Sequence, residues 1–340
     1  MKAFKYILFL LLIAIIGLSI YVAVQPNSFE VTRERTIDAP AVVIYNNLID
    51  YKNWEGWSPW LEKNPDTKIT YSDTTRGVGG HYSWEDSDGI GSMKTISTTP
   101  NSSIEQELQF EDYEPSDINW TLTPTLEGKT KVTWQMKGDN IPFMFKAYSA
   151  FSGGFDQMMG PDFERGLEKL DSLIIADTKK YSITSNGITE YGGGFYLFKT
   201  SNATYQNMSE IMALQFGEIS GFMTKNNIPF NGMPFTIYHD MNFVNNSVIM
   251  SNAIPVNEKI IVTGEENILC DYIPKLKALK VTLKGNYSNL KEAWQKGLFY
   301  IFDENLEQSD QDAFEIYTKD PGNFPNPADW ITEIYIPIKD

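Results

Sequence analysis

Two glutamates near the end of the chain, Glu315 and Glu333, lie in alternating apolar and polar runs, each two residues before a tyrosine: Glu315-Ile316-Tyr317 and Glu333-Ile334-Tyr335. In a strand, residues two apart share a face, so each glutamate is expected beside its tyrosine. A carboxylate among tyrosine rings suits an organic cation, because the rings make cation–π contacts while the acid balances the charge. The same residue types suit acid–base chemistry, with Glu333 as general base and Tyr317 or Tyr238 as proton donor. That requires acid and base within about 3 Å of one substrate atom. Trp294, on the helical stretch Lys291-Glu292-Ala293-Trp294, is placed either to floor such a groove or to pack the core. Two glutamates facing water on a half-exposed sheet would satisfy the same spacing.

These residues belong to an internal repeat. Tyr205-Gln206-Asn207-Met208 matches Tyr287-Ser288-Asn289-Leu290, each opening a helix. Phe235-Thr236-Ile237-Tyr238 matches Phe314-Glu315-Ile316-Tyr317, and Ile254-Pro255-Val256 matches Ile336-Pro337-Ile338. Each half reads strand, helix, strand, strand, with leading strands expected near Ile188–Phe198 and Ala278–Gly285. Two such halves would pair their sheets about a pseudo-two-fold axis and leave a concave groove. The tyrosines are symmetric but the acids are not, since Thr236 and Ser251 stand where the second half has Glu315 and Glu333. Gly192-Gly193-Gly194 has no Gly-Lys-Ser/Thr after it and reads as a bulge or tight bend rather than a phosphate loop.

Pro234-Phe235-x-x-Tyr238, Phe314-Glu315-Ile316-Tyr317 and the closing Trp330-x-x-Glu333-Ile334-Tyr335-x-Pro337 resemble the GyrI-like small-molecule-binding domain. That domain is also the effector-binding part of AraC-type and MerR-type regulators. The resemblance implies a ligand groove with Glu333 as its acid. It also implies, as an alternative, hydrolysis of strained cyclopropane-bearing xenobiotics by a glutamate and a tyrosine. No DNA-binding helix-turn-helix precedes the groove here.

The preceding stretch, 27–178, reads as a second folding unit. Phe29–Ile37 alternates as a strand, and Asp38-Ala39-Pro40 opens a short helix with Asp38 as its expected N-cap. Strands follow near His81–Trp84, Ile90–Thr98, Ser103–Phe110, Ile118–Leu122 and Thr130–Met136, with Asp88-Gly89 as a hairpin turn. A long helical pattern, Lys146 to Ile175, closes the unit and is expected to be interrupted at Gly160-Pro161. The run Ile37-Asp38-Ala39-Pro40, then Asp50-x-x-x-Trp54-x-x-Trp57-Ser58-Pro59-Trp60, Gly77-Val78-Gly79 and Gly160-Pro161-Asp162-Phe163-Glu164-x-Gly166-Leu167, resembles the polyketide cyclase/dehydrase-like branch of the START-related (SRPBCC) helix-grip superfamily. This implies an antiparallel sheet wrapped around the long helix and a cavity for an apolar ligand, with no catalytic set to carry over. Trp54, Trp57 and Trp60 would line the cavity mouth or pack the small helices on the sheet. Gly77-Val78-Gly79-Gly80 leads into a strand and reads as a turn.

Ahead of both lies Tyr6 to Val24, uncharged and apolar all round, about 19 residues or roughly 28 Å as a helix, enough for a bilayer core. Lys2 and Lys5 precede it, so residues 1–26 read as a single transmembrane anchor with the bulk of the chain periplasmic or extracytoplasmic. A cleaved signal sequence is the alternative. The 340 residues carry a net charge of −16, which disfavours nucleic acid as a partner because its phosphates would be repelled. One cysteine, Cys270, forms no internal disulfide, and two histidines, His81 and His239, build no histidine-rich metal site. No cofactor or metal is expected. The sequence thus predicts an α+β protein of three parts: the anchor (1–26), a helix-grip unit (27–178) and a duplicated strand-helix-strand-strand groove unit (179–340). Its expected role is to bind small hydrophobic or cationic molecules at a bacterial cell membrane. A hydrolase and a lipid- or partner-docking protein are the alternatives.

Overall fold

A computed structural model describes residues 2–242, 245–262 and 267–339. The chain divides into two compact units, Met1–Asp177 and Thr178–Asp340, each built on an antiparallel sheet, so the expected α+β class holds. Among the described residues one helix, α1 (Lys2–Ala23), is long and apolar enough to cross a membrane over Phe4–Ala23.

In the first unit, β1 (Ser28–Ile37) leads to α2 (Ala41–Leu48), a 3-10 turn at Tyr51–Gly56 and α3 (Pro59–Lys63). Six strands follow: β2 (Lys68–Tyr71), β3 (His81–Asp86), β4 (Gly89–Thr99), β5 (Ser103–Phe110), β6 (Ser116–Pro124) and β7 (Thr130–Asp139). They form a sheet of order β1-β7-β6-β5-β4-β3-β2, in which the first strand returns to pair with the last. Helices α4 (Phe143–Phe151) and α5 (Phe155–Thr178) come after the sheet. Phe163, Leu167, Leu170 and Ile174 recur along one face of α5 and are buried with Trp120, Trp134 and Val132 of the sheet.

Two local expectations change. Pro40, not Asp38, is the N-cap of α2, its extended backbone turning the chain into the helix. The long helical pattern breaks at Gly153 and Gly154, whose φ values of +84° and +101° end α4, while α5 runs on through Pro161. Gly160 serves a close approach instead. A Cβ there would overlap the guanidinium of Arg33, which ties β1 to α5 by pairing with Asp156 at 2.7 Å and Glu164 at 2.6 Å.

The second unit contains β8 (Ser182–Tyr191), β9 (Gly194–Ala203), α6 (Met208–Lys225), β10 (Phe235–Asn242), β11 (Ser247–Val256), β12 (Leu269–Ile273), β13 (Leu276–Lys284), α7 (Leu290–Asp303), β14 (Ala313–Lys319) and β15 (Ile331–Pro337). Its sheet runs β12-β9-β11-β10-β14-β15-β13-β8. The halves are β9-α6-β10-β11 and β13-α7-β14-β15. They join where β10 pairs with β14 in the register Phe235↔Ile316, Thr236↔Glu315, Ile237↔Phe314. That register exchanges equivalent residues of the repeat, so the pseudo-two-fold axis passes between Thr236 and Glu315. Both helices pack on one face of the sheet: α6 through Ile219 and Met223, α7 through Ala293 and Ile301.

The single leading strand expected at Ile188–Phe198 is two strands. The chain turns at Gly192-Gly193, after which β9 pairs with β11 and β12 while β8 lies at the far edge against β13. Gly193 has φ +74°, and a Cβ there would run into the Ile273 carbonyl oxygen and lie 2.7 Å from the Pro274 carbonyl carbon. Backbone atoms cannot rotate away as a side chain can. Gly193→Ala is therefore expected to cost about 1–3 kcal/mol, read as a lower urea midpoint of the second unit.

Candidate functional site

At the junction of the two halves, the carboxylate of Glu315 is 1% exposed on the helix-bearing face of the sheet. Trp294 of α7 donates its indole Nε1–H to Oε1 at 2.5 Å. Tyr238 and Tyr317, equivalent residues of the repeat, each donate a hydroxyl to Oε2 at 2.9 Å. The symmetric tyrosines thus converge on an acid that only one half carries. Among the described residues no cation pairs with Glu315. Burial pushes its carboxyl above the usual carboxylate range, against the pull of the three donors. Burial and the neighbouring Glu315 charge push both tyrosines well above their ordinary value, so they stay neutral donors. Beside this site, Thr236 donates to Asn252 at 2.7 Å, and Asn252 donates to Gln215 of α6 at 2.7 Å. Rings from both helices meet the tyrosines here, Phe216 against Tyr317 at 6.0 Å and Trp294 against Tyr238 at 5.7 Å.

Glu333 lies elsewhere. The register Ile316↔Glu333 and Phe314↔Tyr335 puts Glu333 and Tyr335 on the face away from the helices, opposite Glu315, Tyr317, Tyr238 and Trp294. The expected acid–base set of Glu333 with Tyr317 or Tyr238 is therefore not assembled, because a sheet separates its members. Glu333 instead pairs with Lys280 at 2.8 Å and accepts a hydrogen bond from Tyr335 at 3.0 Å. An aromatic cluster of Tyr191, Phe314 and Tyr335 continues this face, and Tyr191 also borders a cavity of about 230 Å³ with Tyr196, Phe235 and Ile316.

A Ser-His-Asp trio, which no local motif signals, forms on that same face. His239 meets Asp312 through Nδ1 at 2.7 Å and Ser251 through Nε2 at 2.7 Å, and Ser251 also contacts the Thr200 hydroxyl at 2.8 Å. The order matches a nucleophile, base and orienting acid. Ser251 is buried, however, and both its neighbours occupy its hydroxyl, so the arrangement is a hydrogen-bond chain across strands rather than an open nucleophile. Only the cross-strand registers would have brought these residues together on paper.

The first unit encloses a cavity of about 430 Å³, within the ~300–1,000 Å³ range of small-molecule sites. Trp54 and Trp60 line it, with Trp84, Trp134, Met93, Leu108, Phe145 and Phe163. Trp57 does not. It is fully buried behind the cavity, edge-on to Trp120 at 5.9 Å and to Trp134 at 5.8 Å. The indole cluster thus divides into two lining residues and one packing residue.

No curated protein matches the chain by sequence. Among solved structures, the EcmrR C-terminal domain is similar at 21% identity, covering 47% of this chain and 98% of its own, with a TM-score of 0.41. Protein MLL2253 from Mesorhizobium loti is similar at 22% identity, covering 44% of this chain and 98% of its own, with a TM-score of 0.32. Protein CV1439 from Chromobacterium violaceum is similar at 16% identity, covering 43% and 96%, with a TM-score of 0.32. Within the chain itself, residues 249–339, which carry Glu315, Tyr317, Glu333 and Tyr335, match the family model of the GyrI-like small molecule binding domain.

Proposed function

We propose that this is a membrane-anchored small-molecule-binding protein whose second unit takes an amphipathic organic cation against Glu315. One observation carries this reading: a buried carboxylate held by three neutral donors and, among the described residues, by no cation. Glu333, the acid implied by resemblance, already has the Lys280 ammonium beside it, so a ligand cation there would have to displace an existing partner. Glu315 has no cation beside it among the described residues, and the Tyr238, Tyr317, Trp294 and Phe216 rings are near it for cation–π and stacking contacts. A ligand reaches the carboxylate by displacing the Trp294 indole, its donor on α7. The GyrI-like match supports small-molecule binding as the general role.

The first unit, on this reading, is a helix-grip domain of the SRPBCC kind whose cavity takes an apolar ligand. Its motifs, its returning antiparallel sheet with α5 packed on it, and its aromatic cavity support that assignment. The apolar α1, with Lys2 and Lys5 in its first turns, supports an uncleaved anchor with both units on the extracytoplasmic side. A hydrolase remains the second reading, moved from Glu333 to Glu315, because two tyrosine hydroxyls within hydrogen-bond reach of one carboxylate are an acid–base arrangement.

A thermal-shift series on the chain, with ethidium and a long-chain fatty acid in parallel, tests the binding role. A ligand specific to the native state stabilises by about 2.7 kcal/mol at a hundredfold excess over Kd. Stabilisation by ethidium that Glu315→Gln abolishes is the expected result. Stabilisation by neither ligand would favour a partner-docking protein instead.

A further inference from the structure

Helix α4 is built the wrong way round for a soluble protein. Its sequence, Phe143-Met144-Phe145-Lys146-Ala147-Tyr148-Ser149-Ala150-Phe151, has one charge, and Met144, Tyr148 and Phe151 recur at the i, i+4, i+7 spacing of a single helix face. That face is turned outward, with Met144 at 74%, Tyr148 at 63% and Phe151 at 62% exposure. The opposite side carries Lys146 and the buried Ser149, and Phe145 lies between the two sides. Phe145 lines the cavity of the first unit, as do Ile141 and Pro142 just before the helix. One helix therefore carries both a cavity-lining residue and an exposed apolar stripe.

What covers the stripe follows from its neighbour. Helix α4 packs against α1, and Val22, at the exit end of α1, is buried at 2% exposure where most of that helix is bare. The start of α4 is pinned just past that exit: Asn27 donates its side-chain amide to Asn140 at 3.1 Å, and the Ile141 amide donates to the Asn27 carbonyl at 3.4 Å. If α1 spans a bilayer, α4 lies at that bilayer's surface, where an interfacial helix buries its apolar face about 5–10 Å deep. Tyr148 suits the headgroup level, and Lys146 can lift its ammonium from it. The net charge of −16 argues against electrostatic adhesion to anionic lipid, so attachment rests on apolar insertion beside the anchor. A helix this short binds weakly alone, but tethering to α1 makes its insertion intramolecular. Left-handed backbone bounds the segment at both ends, Asn140 at φ +52° before it and Gly153-Gly154 after it.

We propose that α4 is a membrane-seated gate, through which an acyl chain of a membrane lipid passes directly from the bilayer into the cavity of the first unit. This rests on the anchor reading of α1, and the test separates the two. The full chain, with Cys270→Ser, is reconstituted in phosphatidylcholine nanodiscs containing nitroxide-labelled lipid. An environment-sensitive dye is placed at one cysteine at a time: Met144→Cys, Tyr148→Cys, Phe151→Cys, Leu18→Cys or Leu126→Cys. Leu126 is the aqueous control, because it follows β6 and β7 pairs at the Ile37 end of the sheet, ten residues of β1 (roughly 33 Å) from the membrane exit.

The expected result is quenching at positions 18, 144, 148 and 151 at least threefold above that at 126. Quenching at 18 without quenching at 144, 148 and 151 overturns the gate and leaves the anchor standing. No quenching at 18 overturns both. A second measurement follows a pyrene-labelled fatty acid from the nanodisc into the cavity, read by energy transfer from the lining tryptophans. The combined variant Met144→Asp, Tyr148→Asp, Phe151→Asp is expected to slow that transfer at least tenfold while leaving uptake of the same probe from detergent unchanged. An unchanged rate from the nanodisc would overturn the gating role.

Discussion

Trp134→Ala is expected to cost the first unit about 3–5 kcal/mol, the range for removing a buried indole. Trp134 is the keystone between the sheet and α5: its ring stacks on Trp120 at 4.4 Å and on Phe163 of α5 at 4.2 Å, and it meets Trp57 and Trp60 edge-on. Gly166 permits this approach, since a Cβ there would lie 2.8 Å from the Trp134 ring. Truncation would merge the vacated volume with the existing cavity, and the neighbours cannot collapse into a space already empty on one side. Domain stabilities of about 5–15 kcal/mol make such a loss roughly a fifth or more of the total. Urea unfolding of the full chain, followed by near-UV circular dichroism, should show the first unit's transition shifting while that of the second stays in place. Trp134→Phe, which keeps a ring in the stack, should recover much of the loss. A cost below about 1 kcal/mol for Trp134→Ala would remove Trp134 from this role.

How far the sequence reaches is clearest in the two glutamates. Period-2 alternation correctly pairs Glu315 with Tyr317 and Glu333 with Tyr335, because that depends on each strand alone. Whether the two pairs share a face depends on the register between β14 and β15, and a one-residue offset reverses the answer. Alternation within a strand carries no information about that offset. The internal repeat was legible, as equivalent residues do meet about a pseudo-axis, yet the matched motifs could not reveal that Tyr238 and Tyr317 converge on one carboxylate. Lys280, the partner of Glu333, lies on another strand and has no local signature. In the first unit, three tryptophans at three-residue spacing look alike in sequence. Only the packing shows that Trp57 faces other indoles while Trp54 and Trp60 face a cavity. Residue type alone places the helix break at Gly160-Pro161, whereas in this segment Gly153 and Gly154 are the glycines with positive φ.

Glu315→Gln is expected to weaken ethidium binding tenfold or more above neutral pH, a loss of about 1.4 kcal/mol, while Glu333→Gln leaves it within about threefold. The amide keeps an oxygen to accept from Trp294 and nearly the same volume, so the fold survives while the charge is removed. The pH dependence supplies a second, independent signature. Because burial raises the Glu315 carboxyl above its ordinary value, the native state holds this proton more tightly than the unfolded chain does. Its contribution to stability is fully present below the ordinary carboxylate pKa of about 4.5 and is lost as pH rises through the raised native value. Wild-type stability relative to Glu315→Gln should therefore fall as pH increases over that window. Cation affinity runs the other way, since the ligand pairs with the ionised carboxylate and its binding releases the proton: wild-type affinity should climb with pH and that of Glu315→Gln should stay flat. Titration calorimetry in buffers of different ionisation enthalpy reads the released proton directly. Proton release on binding to wild type and none on binding to Glu315→Gln would assign the ligand's counter-charge to Glu315. Equal affinity and equal proton release in both would move the cation to the opposite face of the sheet, where displacement of Lys280 from Glu333 would have to account for it.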